Sequence, residues 1–180
     1  GKPVGAAYLI PCQLDGRPGR YGYAGGVLPQ WRNRGIFEKL FRGLWSFCLR
    51  EGSYFFFAPR PGTEEYYRRF GFSDAFCYET LRYPSSGTVR PLTVAEASPE
   101  AYTALRDAAL QGAGYVRWDL PSVAYALSEH RMSGGFAHIL TWEGREYLLF
   151  GSCSREGLYL RETTLPPALL PELAASLCLH

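Results

Sequence analysis

The sequence lacks the features of a membrane protein or a nucleic-acid-binding protein. It has no uninterrupted run of about 18 apolar residues, the length that a membrane-spanning helix needs, and it has no recognisable signal peptide. Its 19 Lys and Arg residues nearly balance its 17 Asp and Glu residues, which leaves a formal net charge of +2. This balance gives no electrostatic reason to expect a nucleic-acid or membrane partner. We therefore expect a cytoplasmic protein that binds neither.

Metal-binding and hydrolase signatures are also missing. The cysteines are few, far apart and without a C-x-x-C pair, so buried reduced thiols are expected rather than disulfides or zinc. They are Cys12, Cys48, Cys77, Cys153 and Cys178. His130, His138 and His180 are isolated, as surface or hydrogen-bonded histidines usually are. Gly151-Ser152-Cys153-Ser154 lacks the G-x-S-x-G elbow, so a serine hydrolase has no support.

Apolar and aromatic side chains are abundant. Hydrophobic residues make up 47% of the 180 positions and aromatic residues 16%, which is ample for one packed domain or two small ones. A chain this rich in aromatic residues can bury some of them between subunits, so a homo-oligomer is one expected state.

The stretch from Gly25 to Phe37 carries the strongest functional signal. It reads as the end of a strand, a turn with arginine and glycine, and the start of a helix. The first amides of a helix have no intrahelical partner and lie at the positive end of its dipole. Gly35 permits a close approach of the backbone, and Arg32 and Arg34 add charge. The turn would fit a pyrophosphate, while an ordinary turn with solvated arginines is the other interpretation.

Periodicity and turn residues predict the remaining elements. In the first half we expect strands at 4–10, limited to an edge position by Pro11, and at 21–28, a helix at 35–50, a strand at 53–58, a helix from Thr63 to Gly71, and strand character at 72–83. The crossover helix makes the strands at 21–28 and 53–58 parallel neighbours. In the second half we expect a strand at 90–93, a helix capped by Ser98 running to about 112, a helix capped by Ser122 running to 132, strands at 137–142, 146–153 and 158–163, and a helix at 168–179.

Two motifs together resemble the acetyl-CoA-binding core of the GNAT superfamily of N-acetyltransferases. The first is Val27-x-Pro29-x-x-Arg32-x-x-Gly35, and the second is Tyr67-x-x-Phe70-Gly71-Phe72, which follows a helix and an aromatic strand. The resemblance is specific over residues 3–82. Within the superfamily the chain is similar to the larger bacterial proteins of the Eis type, which carry a second, degenerate GNAT-like unit.

This resemblance implies a fold class and a domain division. The fold would be α/β (an α+β mixed sheet), the GNAT acyl-CoA N-acyltransferase fold, followed by a partial second GNAT-like unit. We expect an acetyl-CoA-binding core at 1–83 whose amino-terminal part is missing, a linker at 84–89, and a degenerate, incomplete GNAT-like domain at 90–180. In that domain the phosphate turn is replaced by residues 162–167, which contain no Arg-x-x-Gly. A pyrophosphate there would meet the Glu162 carboxylate and no basic partner, so we expect no coenzyme A in this half.

The same resemblance implies transfer of an acetyl group from acetyl-CoA to a primary amine of a small molecule or peptide. Val27 and Leu28 would offer backbone groups to pantetheine, and the glycines Gly25 and Gly26 fit either its close approach or a β-bulge. The pyrophosphate would be held, largely through backbone amides, by Arg32, Asn33, Arg34, Gly35, Ile36 and Phe37. The family usually has a small residue where Phe37 stands, although Eis-like relatives often have a larger one.

Tyr67 matches the tyrosine that commonly protonates the leaving thiolate in the family. A phenol, with a pKa of about 10, can donate to a departing thiolate, whose thiol has a pKa of about 8.5. The alternative is that Tyr67, like its neighbour Tyr66, only packs on the core.

No general base for the acceptor amine is evident, because residues 21–26 contain no acid. The alternative function is therefore a non-catalytic acyl-CoA-binding or regulatory GNAT-like module.

Overall fold

The computed structural model describes residues 1–76, 80–84 and 88–178. The strands in these ranges are β1 Gly5–Leu14, β2 Arg17–Val27, β3 Tyr54–Phe56, β4 Thr93–Glu96, β5 Val116–Trp118, β6 Gly135–Trp142, β7 Arg145–Ser154 and β8 Gly157–Thr163. The α-helices are α1 Ile36–Arg50, α2 Glu64–Arg68, α3 Pro99–Ala109, α4 Leu120–Met132 and α5 Leu170–Leu177. Within the described ranges, none of these helices is long and apolar enough to cross a membrane.

The chain forms two compact units that interleave in sequence. The first unit comprises Gly1–Glu79 and Gly114–Asp119, and the second comprises Thr80–Ala113 and Leu120–His180. The division into 1–83, 84–89 and 90–180 stays a prediction, and residues 85–87 of the expected linker lie outside the described residues. The return of residues 114–119 to the first unit was not anticipated from the sequence.

The first unit is built on a four-stranded sheet in the order β3-β2-β1-β5. Asp15 and Gly16 connect β1 to β2 with φ values of 49° and 74°, as a tight hairpin turn requires. β3 pairs with β2 in parallel, which confirms the orientation predicted from the crossover helix. β5 pairs antiparallel with residues 12–14 of β1.

Pro11 does not end the first strand, so the predicted limit at residue 10 is wrong. β1 runs on to Leu14, and Pro11 pairs with Arg20 of β2. Proline lacks an N–H, but the ladder to β5 begins only at Cys12, so no hydrogen bond to β5 is required of Pro11 itself.

Helix α1 covers one face of the first sheet. Its buried side chains are Phe41 and Cys48, on the apolar side that the spacing predicted. The Phe41 ring packs against Phe55 of β3 and Phe72, with ring centroids 5.2 and 5.3 Å apart. Burying one such ring contributes about 1.5–3 kcal/mol, so Phe41 anchors the helix to the strand.

The predicted strand at 72–83 is wrong for the residues that the structure describes. Residues 72–76 and 80–84 are not in strands, and residues 77–79 lie outside the description. Phe72 instead packs on Phe41 and on Trp45, at 5.3 and 5.5 Å between ring centroids. An aromatic-rich segment can therefore be buried by ring packing without joining the sheet.

The second unit contains an antiparallel sheet in the order β4-β6-β7-β8. The three predicted strands of its meander are confirmed, each with slightly wider bounds. Its core combines residues of β6, β7 and α5 with one residue of the connecting turn: Leu140, Leu149, Leu165, Leu173 and Leu177. The first strand, predicted at 90–93, lies at Thr93–Glu96. The last helix spans Leu170–Leu177, and residue 179 of the predicted helix is outside the description.

The two predicted helix caps have different outcomes. Ser98 caps α3 as predicted, because its side chain accepts a hydrogen bond of 3.1 Å from the Ala101 amide. Ser122 lies inside α4, which begins at Leu120, so the prediction of Ser122 as its cap is wrong. Pro121 fits this earlier start, since proline is favoured in the first turn of a helix.

The described cysteines are free thiols, but they are not all buried. Cys12 and Cys48 are buried, whereas Cys153 and Cys178 are exposed, which corrects the expectation of uniformly buried thiols. Cys77 lies outside the described residues. Burial raises the pKa of Cys12 to about 11, and it raises the pKa of Cys48 as well.

Candidate functional site

The candidate site begins at a β-bulge near the end of β2. Ala6 pairs with Gly26 and Tyr8 with Tyr23, so Ala7 alone faces Ala24 and Gly25. Ala24 has a φ of 51°, which is uncommon for a residue with a side chain. This confirms the β-bulge interpretation for Gly25, whereas Gly26 is paired in register with Ala6. A bulge leaves backbone groups outside the ladder and bends the strand.

The two glycines of this strand have different surroundings. A Cβ atom on Gly25 would lie 3.1 Å from Cε2 of Phe37, so the absence of a side chain admits that ring. A Cβ on Gly26 would meet nothing within 4 Å. Gly25 therefore accommodates the packing of α1, while the surface at Gly26 is open.

The turn between β2 and α1 is held by its own backbone. The Leu28 amide donates to the Val4 carbonyl at 2.9 Å, and the Leu28 carbonyl accepts from the Trp31 amide at 2.9 Å. Pro29–Trp31 forms a short 3-10 turn. Both backbone groups of Leu28 are thus engaged, and pantetheine would have to use the second lone pair of its carbonyl.

Two left-handed residues turn the chain into α1. Asn33 has a φ of 59° and Gly35 a φ of 68°, a conformation that asparagine and glycine tolerate best. The first hydrogen bond within the helix runs from the Lys39 amide to the Gly35 carbonyl at 3.1 Å. Helix geometry therefore leaves the amides of Ile36 and Phe37 without intrahelical acceptors, at the positive end of the dipole.

Both arginines of the turn have partners within it. Nε of Arg32 donates to the Val27 carbonyl at 3.1 Å. The Arg34 guanidinium lies over the Trp31 ring, 5.0 Å from its centroid. A phosphate at the turn would compete with the Val27 carbonyl for Arg32.

A cleft of about 520 Å³ adjoins the first turn of α1. Phe37 forms its wall on the α1 side, and residues in and around α2 line the rest: Gly62, Thr63, Glu65, Tyr66, Tyr67 and Arg69. The structure thus brings Phe37 and Tyr67, two residues predicted from separate motifs, to the same cleft.

Tyr67 is half-buried, and its ring packs on the aromatic core while it lines the cleft. Its centroid lies 4.5 Å from that of Phe57 and 5.2 Å from that of Phe41. Burial, and to a smaller extent the neighbouring Tyr66, raises the pKa of the Tyr67 phenol above its ordinary value of 10.0. The phenol is therefore protonated at neutral pH and can act as a hydrogen-bond donor.

Tyr66 shares a face with Phe70, which follows the end of α2. Their rings meet edge to face with centroids 5.2 Å apart, and Tyr66 also reaches Phe37 at 6.4 Å. The half-buried Tyr66 ring lines the cleft as well as packing against these residues.

The charged residues around α2 fall into two groups. Arg68 bridges Glu65 at 2.6 Å and Asp74 at 2.8 Å, on the exposed surface. Arg69 lines the cleft instead. Among the described residues that line the cleft, Glu65 alone carries a carboxylate, and it is paired with Arg68.

In the second unit, a polar cluster surrounds Glu162, the first residue of the segment 162–167. Glu162, near the end of β8, accepts from Nε of Arg106 and from the Tyr102 hydroxyl, each at 2.6 Å. The Glu162 carboxylate thus has a basic partner from α3, and the expectation that this half binds no coenzyme A stays a prediction. Burial and the Glu162 carboxylate raise the pKa of Tyr102. Tyr102 and Arg106 stand four residues apart on α3, a spacing that could have indicated a shared polar partner.

Comparison with known proteins shows the fold. No family model matches the chain, and no curated protein matches it either. A GCN5-related N-acetyltransferase from Kribbella flavida superposes with a TM-score of 0.54 and 19% identity, over 96% of this chain and 46% of its own. Eis1 from Mycobacterium abscessus superposes with a TM-score of 0.52 and 17% identity, over 99% of this chain and 50% of its own. The chain has the fold of GCN5-related N-acetyltransferases and spans about half the length of these two proteins.

Proposed function

We propose that the chain is an N-acetyltransferase core that transfers an acetyl group from acetyl-CoA to a primary amine of a small molecule or peptide. The observation that supports this most is one continuous arrangement in the first unit. A bulged strand leads through a left-handed turn into the free amides of α1, and these adjoin the cleft that Tyr67 lines. The likeness in fold to N-acetyltransferases agrees with this proposal.

In this proposal the cofactor follows β2 toward α1. Backbone groups of Val27 and Leu28 would bind pantetheine beside the open surface at Gly26. The turn from Arg32 to Phe37, with Asn33, Arg34, Gly35 and Ile36 between them, would bind the pyrophosphate, mainly through the amides that open the helix. Arg32 would exchange the Val27 carbonyl for a phosphate oxygen, a stronger charge-assisted acceptor.

Tyr67 would act as the proton donor in catalysis. The neutral amine nitrogen attacks the thioester carbonyl carbon and loses one proton to solvent, while the C–S bond breaks and its electron pair leaves with sulfur. A phenol whose pKa is raised stays protonated and can donate to that sulfur as the charge develops.

We also propose that the second unit is a degenerate GNAT-like unit. Its β7-β8 hairpin has a register shift between Phe150 and Gly151 and is followed by α5, as the bulged β1-β2 hairpin is followed by α1. At the corresponding strand end, Glu162 is tied to Arg106 and Tyr102. This internal ion pair would make Arg106 less available to a phosphate.

One observation favours a second candidate, a non-catalytic acyl-CoA-binding module. β2 carries no Asp or Glu, and Glu65 in the cleft is paired with Arg68. A base to deprotonate the acceptor amine is therefore not apparent among the described residues at this cleft.

Thiol release from acetyl-CoA in the presence of a panel of primary amines distinguishes the two candidates. We expect amine-dependent release, and we expect Tyr67→Phe to lower kcat by about 10²-fold or more with little change in KM. Tyr54→Phe is the matched control, since Tyr54 lies on β3 and is not among the residues that line the cleft. Saturable binding of acetyl-CoA without release, for every amine and in the wild type, would favour the non-catalytic module.

A further inference from the structure

On the first sheet, the face that points away from α1 carries a pair of tyrosines. A Cβ atom on Gly22 would lie 2.9 Å from the Phe55 ring, and Phe55 packs on Phe41 of α1 with ring centroids 5.2 Å apart. Gly22 therefore faces α1. Because side chains alternate along a strand, the next residue, Tyr23, points to the opposite face. Tyr8 of β1 pairs with Tyr23 in the ladder, so the two rings form a tyrosine pair on that face.

The tyrosine pair is accessible and adjoins the bulge of β2. Tyr8 is 63% exposed, although β1 lies between β2 and β5 in the sheet. The bulge begins at the residue that follows Tyr23. In the described part of the chain, β3 pairs with β2 only from Gly19 to Tyr21, so the strand pairing on that side of β2 ends before the bulge. A molecule bound on the tyrosine face can therefore reach the edge of β2 at the bulge.

The proposed cofactor position brings the thioester toward this edge. The pyrophosphate is assigned to residues 32–37 and pantetheine to Val27 and Leu28, so the sulfur end of acetyl-CoA points back along β2 toward Tyr23. An amine held on the tyrosine face would meet the acetyl group there. This inference rests on the proposed function, because it assumes that acetyl-CoA binds along β2.

The chemistry of this face favours an aromatic acceptor. Two aromatic rings in an offset or edge-to-face arrangement are stabilised beyond the area that they bury. The aromatic surface continues toward β5, where Tyr21 and Trp118 meet edge to face with centroids 5.1 Å apart. We propose that Tyr8 and Tyr23 bind the aromatic ring of the acceptor, so that the chain prefers arylalkylamines. A short alkyl chain then carries the primary amine from the ring to the bulge.

The two faces of the sheet have separate roles in this transfer. Tyr67 packs on Phe41 on the α1 side, while the acceptor ring lies on the opposite side. The neutral amine nitrogen forms a bond to the acetyl carbon and loses one proton to solvent. The C–S bond breaks, and sulfur takes a proton from Tyr67, which regains one from solvent. Tyr8 contacts only the acceptor, so its substitution changes the choice of amine and leaves acetyl-CoA binding unaltered.

The experiment compares 2-phenylethylamine with 2-cyclohexylethylamine, an aliphatic amine of the same length and similar shape, as acceptors for the wild type, Tyr8→Leu and Tyr125→Leu. We expect the wild-type kcat/KM to be about three- to tenfold higher for the phenyl compound, mainly through KM. Tyr8→Leu should bring the ratio close to one. Tyr125 is also exposed, but it lies on α4 of the second unit, so Tyr125→Leu should keep the wild-type ratio. The Kd for acetyl-CoA should be the same for all three proteins.

The other outcomes separate this inference from the proposed function. Equal use of the two amines by the wild type, or a preference that Tyr8→Leu keeps, would overturn the inference and leave acetyl transfer in place. Acetylation of other primary amines but of neither of these two would do the same. A loss of acetyl-CoA binding in folded Tyr8→Leu would also overturn it, because Tyr8 would then act at the cofactor. If the folded wild type acetylated no amine, both the inference and the proposed function would fail.

Discussion

Two adjacent glycines on β2 differ in how much space a side chain would find there. A Cβ on Gly25 would lie 3.1 Å from the Phe37 ring, closer than an ordinary contact, whereas Gly26 faces open space. We predict that Gly25→Val lowers the free energy of unfolding by about 1–3 kcal/mol, the usual cost of overpacking. Gly26→Val is the matched control and should change it by less than about 1 kcal/mol. Denaturant unfolding of both variants measures the difference.

The Gly25 prediction can be checked by a double-mutant cycle. If the Phe37 ring causes the strain, Gly25→Val should cost less in a Phe37→Ala background than in the wild type. An equal cost in both backgrounds would contradict this explanation.

Cys12 makes the stability of the first unit depend on pH. Burial, with a smaller contribution from Cys48, raises the pKa of Cys12 from 9.0 to about 11, while Arg20 opposes the shift. Since the folded state holds this proton more tightly than the unfolded state, its contribution is fully present below pH 9.0 and is lost as the pH rises toward 11. Cys12→Ala should flatten the fall in unfolding free energy over this range. An unchanged slope in that variant would show that other groups cause it.

At the scale of elements, two glycines affect the stability of helix α1 in opposite ways, because one lies inside the helix and the other follows its end. Gly52 follows its end with a φ of 63°, and the Ser53 amide closes the turn on the Cys48 carbonyl at 2.9 Å. Gly43 lies in the helix interior, where an added Cβ meets nothing within 4 Å. Substitution by alanine should therefore have opposite effects at the two positions.

We predict that Gly52→Ala lowers the free energy of unfolding by about 1 kcal/mol, because alanine is strained in a left-handed conformation. Gly43→Ala should raise it by about 0.5–1 kcal/mol, because glycine is a poor residue in a helix interior. Thermal unfolding of the two variants tests the pair directly. Two changes of the same sign would contradict the assigned helix end.

Elements that depend on a short-range signal could be predicted from the sequence. Asp15-Gly16 marks the hairpin, Gly52 the end of α1, and Ser98 the start of α3, because each acts on groups only a few residues away. The predicted strand at 72–83 is wrong for the described residues because aromatic residues, although they favour strands, can also be buried by packing on other rings. Phe72 is held by contacts with rings far away in sequence, which no local pattern reveals.

At the scale of the whole molecule, long-range contacts account for what the sequence missed. β5 joins the first sheet from a segment about 100 residues further along the chain, where Trp118 meets Tyr21 edge to face at 5.1 Å. Glu162 and Arg106 form an ion pair although they are 56 positions apart in the sequence. The residues around Glu162 therefore reveal a carboxylate but not its basic partner. The candidate site was predicted as two separate motifs, and only the fold places Phe37 and Tyr67 on one cleft.

The central claim is that the turn between β2 and α1 binds acetyl-CoA. Gly35 has a φ of 68° and precedes the free amides, and Arg32 lies on the exposed side of the turn. The most direct measurement is calorimetric titration of the wild type and of a variant with Arg32→Ala and Gly35→Glu against acetyl-CoA. We predict saturable binding by the wild type and its loss in the variant, because the variant removes one charge, adds an opposite charge and strains the turn. No binding by the folded wild type, or equal binding by both proteins, would contradict this account.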